Sequence, residues 1–367
     1  MKDELLTKAK HYSLIKYSLI IFNEIYVLVL LFIFLVSGLS KRLSSQITEF
    51  TQGGIFAVAL YLFITYVLYY LLDLPFNLYR SYLLEHRFSL SNQKIKDWMI
   101  EQLKAFLIFY IISLIFISAF YFILNHYRGY WWLVVSLCWI FFSLVLTKLT
   151  PLVIIPLFFK YQKLKDQTLR ERIMRLAEKL KIKMLDCYEI DFSKKTLKAN
   201  ACFVGIGRTK RVILADTLKD RYSYDEIEVV LAHEFAHYKL RHLIKLLLVG
   251  SLTIIISFYI ISISSKYLLK AVGLNSLSDL AALPLILIYL IIFEVITQPL
   301  QNYISRHLER KADILAIKIT GLKEAFISMM EKLSVQNLAD RKPHPLIKFF
   351  FFDHPPIEER IKLAKDL

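Results

Sequence analysis

The sequence has 367 residues, 56% of them hydrophobic, nine glycines and a formal net charge of +16. That apolar share lies above the roughly 45–50% of soluble globular domains, which excludes an ordinary soluble enzyme. The basic excess does not point to nucleic acid, because no basic cluster accompanies a nucleic-acid-binding motif.

Residues 1–16 read as a basic helical lead-in. Six apolar runs follow along the chain: Tyr17–Leu39, Ile55–Leu72, Ala105–Leu124, Tyr130–Thr147, Leu246–Ser265 and Leu280–Pro299. Only the first and last carry a charge, Glu24 and Glu294. Each is long enough for a membrane-spanning helix, so six spans in a lipid bilayer are predicted. The first run is too long for a cleaved signal and is expected to remain as an anchor. Segments 40–53, 126–130 and 265–280 hold five of the 47 Lys and Arg residues; the other 42 lie in the alternate segments. The positive-inside rule therefore puts both termini and residues 160–242 in the cytoplasm, at the inner membrane if the source is a bacterium. The cysteines, Cys138, Cys187 and Cys202, form neither a disulfide framework nor a metal motif.

A short outer loop joins spans one and two. Pro75–Asn92 runs off span two along the inner interface. Spans three and four form a tight hairpin about Arg128, Gly129 and Tyr130, with Trp131 and Trp132 as interfacial anchors. Pro151 and Pro156 are expected to end span four. Leu169, Ile173, Leu176 and Leu180 define an amphipathic helix. Leu185–Ile190 reads as a strand, and Asn200–Gly205 and Arg211–Ala215 as two strands joined by a glycine-containing turn.

Ser223 followed by Glu226 makes a capping box. Asp225, Glu226 and Glu228 suit a helix N-terminus, and Ile227, Val230, Leu231 and Phe235 recur at helical spacing. This helix carries HEFAH, His233 to His237. Two histidines four apart lie about 40° apart around the axis, so both rings reach one ion. Glu234 sits on the adjoining face, placed to handle a water bound to that ion. Two imidazoles and a carboxylate base make the helical zinc-hydrolase pattern, which predicts one Zn2+ per chain.

A third protein ligand is needed. Asn302, Arg306, Glu309 and Asp313 fall on one helical stripe beyond span six, within an arc of about 60°. Glu309 can bind the ion. Asp313, one turn on, can fix the tautomer of a ligand histidine; Asn302 and Arg306 complete the polar surround. His237 precedes Leu246 by nine residues, and Glu309 follows Leu300 by nine. Each then lies roughly 13 Å beyond its span on the same side, provided Pro299 leaves the second helix straight. His242 reads as a helix-end residue rather than a ligand. After Gly321 come a helix near Ala325–Val335, a connection through Pro343 and Pro345, and DHPPIEERI from Asp353.

HEFAH with YKLRH, then SRHLERKAD, then DHPPIEER, resembles the integral-membrane zinc metalloproteases that include the type I CAAX prenyl endopeptidases and HtpX. The resemblance is closer to the CAAX prenyl protease branch. It extends to LPFNLYRSYLLEHRFSLSN, PLFFKY and SKKTLKANACFVGIGRTKRVILADTL. It implies His233, His237 and Glu309 as zinc ligands, Glu234 as general base and Asp313 behind them. It also implies His354 as oxyanion stabiliser and Asn200 and Ala201 as the strand edge that takes the substrate backbone. Its partners are peptide or protein substrates at the membrane, prenylated ones among them. The chain departs from the family at Ala236, often Gly; at Tyr238, often Trp; and at Arg241, often Asn or Gly. It also has six spans where eukaryotic relatives have seven.

The expected fold is an all-α polytopic membrane protein with an α+β cytoplasmic metalloprotease domain of gluzincin type. Residues 1–159 form a four-span region, 160–242 the HExxH segment, 243–300 a two-span hairpin and 301–367 the segment with the third ligand and the HPP motif. HtpX-like quality control is the alternative within the family. A site-2-type protease needs HExxH inside a span and a later LDG, which does not occur. A transporter with a fortuitous HExxH leaves the stripe at Glu309 without a use.

Overall fold

The structure, a computed structural model, describes residues 2–127, 129–205 and 210–367. Among these, six helices are long and apolar enough to cross a membrane, matching the six apolar runs. Helix α1, Lys2–Val36, joins the basic lead-in and the first span without a break. At 1.5 Å per residue it is about 50 Å long, more than a bilayer core requires. Its first turns therefore lie outside the membrane. There Ala9 and Tyr12 pack with Leu84, Phe88, Leu90 and Leu338.

The short outer loop is in fact a helix, α2, Leu39–Thr51. Its small polar face docks on the start of span six. Ser40 Oγ donates to Ala281 O at 2.9 Å and Ser44 Oγ to Asp279 Oδ1 at 3.0 Å. Lys41 Nζ reaches Gly273 O at 3.1 Å. Two of the segments poor in basic residues thus meet at the end of the molecule away from the α1 lead-in.

Helix α3, Gly54–Leu78, continues through a π-turn at Tyr79–Leu83 as far as Arg87. Helix α4 is Ile95–His126 and α5 is Trp131–Leu149. Arg128, the expected hairpin centre, lies outside the described residues. Trp131 is buried against Phe120 and Phe258 rather than anchoring an interface. Pro151 and Pro156 do not end span four. The helix widens into a π-turn at Thr150–Ile154 and runs on to Phe158, with each proline at the start of a segment where its missing N–H costs little.

Four strands make one sheet: β1, Tyr161–Lys163; β2, Asp186–Ile190; β3, Ala201–Val204; and β4, Arg211–Ala215. The order is β1-β2-β4-β3. β2 and β4 are parallel and the outer pairs antiparallel. β1, only three residues long, was too short to show a periodicity. The turn expected between β3 and β4 falls at 206–209, outside the described residues. Helix α6, Gln167–Lys179, is capped by Asp166 and packs Leu169, Ile173 and Leu176 into the core.

Helix α7, Tyr224–Lys239, has the full capping box. Ile227, Leu231 and Phe235 are fully buried in the same core, each contributing about 1.5–3 kcal/mol. Helix α8, His242–Ala271, follows after a break at Arg241, whose φ is 55°. That left-handed conformation favours Gly or Asn. It gives a physical reason for the residues that the resembling family often carries there. Helix α9, Leu283–Thr320, passes through Pro299 unbroken and ends at Gly321, φ 71°. Helices α10, Lys323–Gln336, α11, Pro345–Phe351, and α12, Ile357–Asp366, complete the chain.

Candidate active site

Helix α7 lies against α9, which brings HEFAH to the polar stripe. His233 Nε2 and His237 Nε2 are 3.0 Å apart. Glu309 Oε2 is 3.2 Å from His233 Nε2, and Glu309 Oε1 is 3.1 Å from His237 Nε2. A tetrahedral zinc with ligand bonds of about 2.0–2.1 Å sets its donor atoms roughly 3.3 Å apart. The triangle of two imidazoles and one carboxylate is therefore already close to the size an ion needs.

The electrostatics agree with that geometry. Glu309 Oε2 is buried and makes no hydrogen bond, and an unmatched buried carboxylate oxygen is costly. Burial pushes His233 down, but Asp313 and Glu309 outweigh it and raise its pKa to about 9. The pocket thus draws positive charge, and a divalent cation among these three residues would satisfy it.

Behind the triangle, His233 Nδ1 lies 2.9 Å from Asp313 Oδ1, with its N–H direction off line. Asp313 is fully buried. Arg360 holds it as a fork, Nε to Oδ2 at 2.8 Å and Nη2 to Oδ1 at 2.6 Å. The guanidinium matches the carboxylate and offsets its burial. Arg360 was not singled out from the sequence, although it stands in DHPPIEER.

His242 is also more than a helix-end residue. The turn at Arg241 folds its ring back so that Nδ1 is 3.1 Å from His237 Nδ1. Leaving His237 Nε2 free for an ion requires His237 Nδ1–H to donate and His242 Nδ1 to accept. His242 is 1% exposed, with Nε2 unpartnered. The signal was present as the second histidine of HYKLRH, but only the break in the helix makes it meaningful.

Glu234 is half-buried on the adjoining face of α7. Its charge and burial together push the Cys202 thiol up to about 12, burial being the larger cause. A thiol so protonated is no nucleophile; α7, the helix that carries Glu234, packs against β3. β3 is an edge strand, with Asn200 exposed just before it and Ala201 half-buried as its first residue. Ala215 N donates to Asn200 O on the β4 side at 3.1 Å. Among the described residues no strand pairs with its other edge, which leaves backbone groups there unpaired by the sheet.

His354 is exposed, with Nε2 3.5 Å from Glu309 Oε2 and Nδ1 2.8 Å from Asp353 Oδ1. Asp353, hydrogen-bonded to its ring, and Glu309 raise its pKa above the ordinary imidazole value. Asn302 and Arg306 share the α9 stripe, yet their hydrogen bonds go to carbonyls of α11 and the turn after it.

A family model described as peptidase family M48 matches residues 163–367. The chain belongs to peptidase family M48. A second model, described as CAAX prenyl protease N-terminal, five membrane helices, matches residues 1–160. In that stretch the described residues form four candidate spans and the short helix α2.

YhfN of Bacillus subtilis, described as an uncharacterized metalloprotease, is 31% identical over all of this chain and 86% of its own length. CAAX prenyl protease 1 homolog of Arabidopsis thaliana is 31% identical over 79% of this chain and 69% of its own. CAAX prenyl protease 1 of Saccharomyces cerevisiae is 26% identical over 98% and 85%. The crystal structure of S. mikatae Ste24p superposes with a TM-score of 0.89, covering 99% of this chain and 90% of that one at 24% identity. That likeness shows the fold. This M48 peptidase is a membrane metalloendopeptidase of the CAAX prenyl protease type, a reading favoured over HtpX-like quality control and over a transporter, and its family implies a metal.

Proposed function

We propose that the peptidase uses zinc held by His233, His237 and Glu309 to cleave extended peptides at the membrane surface. The observation that carries this reading is the triangle of donor atoms 3.0–3.2 Å apart. When bound there, zinc supplies Lewis acidity to water and to the scissile carbonyl. Residues 160–242 and 301–367 form the protease proper in this reading, and the spans frame it.

The chain's own groups divide the remaining work. Asn200, Ala201 and the rest of the β3 edge align the substrate backbone by strand addition. Glu234 takes a proton from the attacking water and later passes it to the leaving amine. His354 donates toward the carbonyl oxygen as negative charge develops on it. Asp313, backed by Arg360, and His242 hold the ligand imidazoles in the tautomers that leave Nε2 free.

The site lies near the membrane ends of α8 and α9, so it meets peptides already at that surface. A CAAX-type peptide is accepted, and its prenyl group acts through partition into the membrane rather than strict recognition. The test is one peptide with and without a farnesyl group, assayed in detergent to suppress partition. Both forms are expected to be cleaved at rates within about tenfold, a difference of 1.4 kcal/mol or less. Cleavage of the farnesylated form alone means the protein reads the lipid. Cleavage of neither returns the reading to HtpX-like quality control of other membrane proteins.

The proposed orientation puts both termini and the site in the cytoplasm, at the inner membrane of a bacterium. Its support is the division of Lys and Arg between alternate segments. In a cysteine-free background, Ser45→Cys, Gly129→Cys and Ser276→Cys label from outside intact cells and Lys194→Cys does not. External labelling at Lys194→Cys reverses the topology.

A further inference from the structure

Residues 345–354 run from α11 to His354 as a strap across α9. An isolated seven-residue helix is marginal in water, and the last carbonyls of any helix lack intrahelical partners. Lys348 O accepts from Phe352 N at 3.3 Å, and side chains from α9 reach it and the carbonyls beyond it. Asn302, 8% exposed, donates from Nδ2 to Phe350 O at 2.6 Å. Arg306 Nη1 donates to Lys348 O at 3.1 Å and to Phe352 O at 2.5 Å. Phe352 is two residues before His354. The far side of the strap is packed by α1, where the Tyr17 ring lies 6.4 Å from Phe351 and 6.0 Å from Phe352. Lys348 Nζ to Glu359 Oε1 at 2.5 Å ties the strap forward to α12.

The same stripe of α9 therefore does two jobs. Glu309 and Asp313 face HEFAH. Asn302 and Arg306, two turns and one turn before Glu309, grip the strap. We infer that Asn302 and Arg306 are positioning residues for His354, holding the strap at a fixed height against the helix that carries Glu309. A guanidinium bridging two carbonyls four residues apart measures the strap's end, which a single neutral donor does not. The ligand triangle does not depend on it, because no hydrogen bond of either residue goes to His233, His237 or Glu309. This inference rests on the proposed role of His354 at the substrate oxygen.

The test compares Arg306→Ala, Arg306→Lys, His354→Ala and the Arg306→Ala/His354→Ala double variant on the full chain in detergent, with the farnesylated peptide. Arg306→Ala is expected to keep stoichiometric zinc and a KM within about twofold, and to lose roughly 10–100-fold in kcat. His354→Ala should lose a similar factor. The double variant should be no slower than the slower single one, because both changes remove the same interaction. Arg306→Lys, which keeps the charge, should recover part of kcat. Zinc loss in Arg306→Ala, wild-type kcat in Arg306→Ala, or multiplied losses in the double variant overturns the inference. If His354→Ala itself has wild-type kcat, the oxyanion role has failed, and amide hydrogen exchange decides the clamp. Faster exchange over 348–354 in Arg306→Ala, with 224–239 unchanged, sustains it; unchanged exchange at 348–354 removes it.

Discussion

Glu234→Ala is expected to bind zinc at close to one ion per chain and to lose roughly 10²–10⁴-fold in peptide hydrolysis, the range for removing a positioned general base. The physical reason is the separation of the two tasks on one helix. His233 and His237 are four residues apart and point together, whereas Glu234 lies on the adjoining face and belongs to no edge of the donor triangle. Its loss leaves the metal-binding groups and their supports in place. The readouts are metal analysis of purified protein and kcat on the same sample. Loss of zinc in this variant would make Glu234 a ligand and sink the proposed division of roles.

Glu309→Ala is expected to lose both zinc and activity. Two imidazoles alone are short of the three protein ligands of a catalytic zinc site. The change also removes the one carboxylate that, among the described residues, touches both histidines. The effect should exceed the roughly 10–100-fold typical of a residue behind the ligands. His233→Ala and His237→Ala should behave alike. Full zinc occupancy in Glu309→Ala takes Glu309 out of the site and leaves its approach to both histidines without a purpose.

The apolar core around α7 shows why HEFAH reads as helical from the sequence alone. Ser223 and Glu226 cap within four residues, and Ile227, Leu231 and Phe235 repeat at 3.6-residue spacing toward one buried face. Such signals are local: they depend on backbone groups and on a period that survives in any tertiary setting. The stripe of Asn302, Arg306, Glu309 and Asp313 was visible for the same reason. Its meeting with HEFAH followed from equal chain lengths beyond two antiparallel spans. Pro299 did not spoil that estimate, since α9 passes through it.

Other features had no local signature. The three residues of β1 become a strand only because β2 offers an edge at Tyr161–Lys163. α2 reads as a loop in the sequence because its small polar face acquires partners only when Asp279 and Ala281, far along the chain, arrive beside it. The prolines of span four read as helix ends, yet a π-turn absorbs them.

The sequence by itself therefore determined what periodicity, capping and hydrophobic length can encode: six spans, the capped HExxH helix and the polar stripe that meets it. Only the tertiary structure decided which partners complete those groups. Arg360 lies 47 residues from Asp313 and becomes its counter-ion because a fully buried carboxylate must be matched. His242 meets His237 because the chain turns through a positive φ at Arg241. His354 reaches Glu309 at the end of a strap gripped by Asn302 and Arg306. These contacts are set by the burial of charge and polar backbone between distant segments, which no short window of sequence contains.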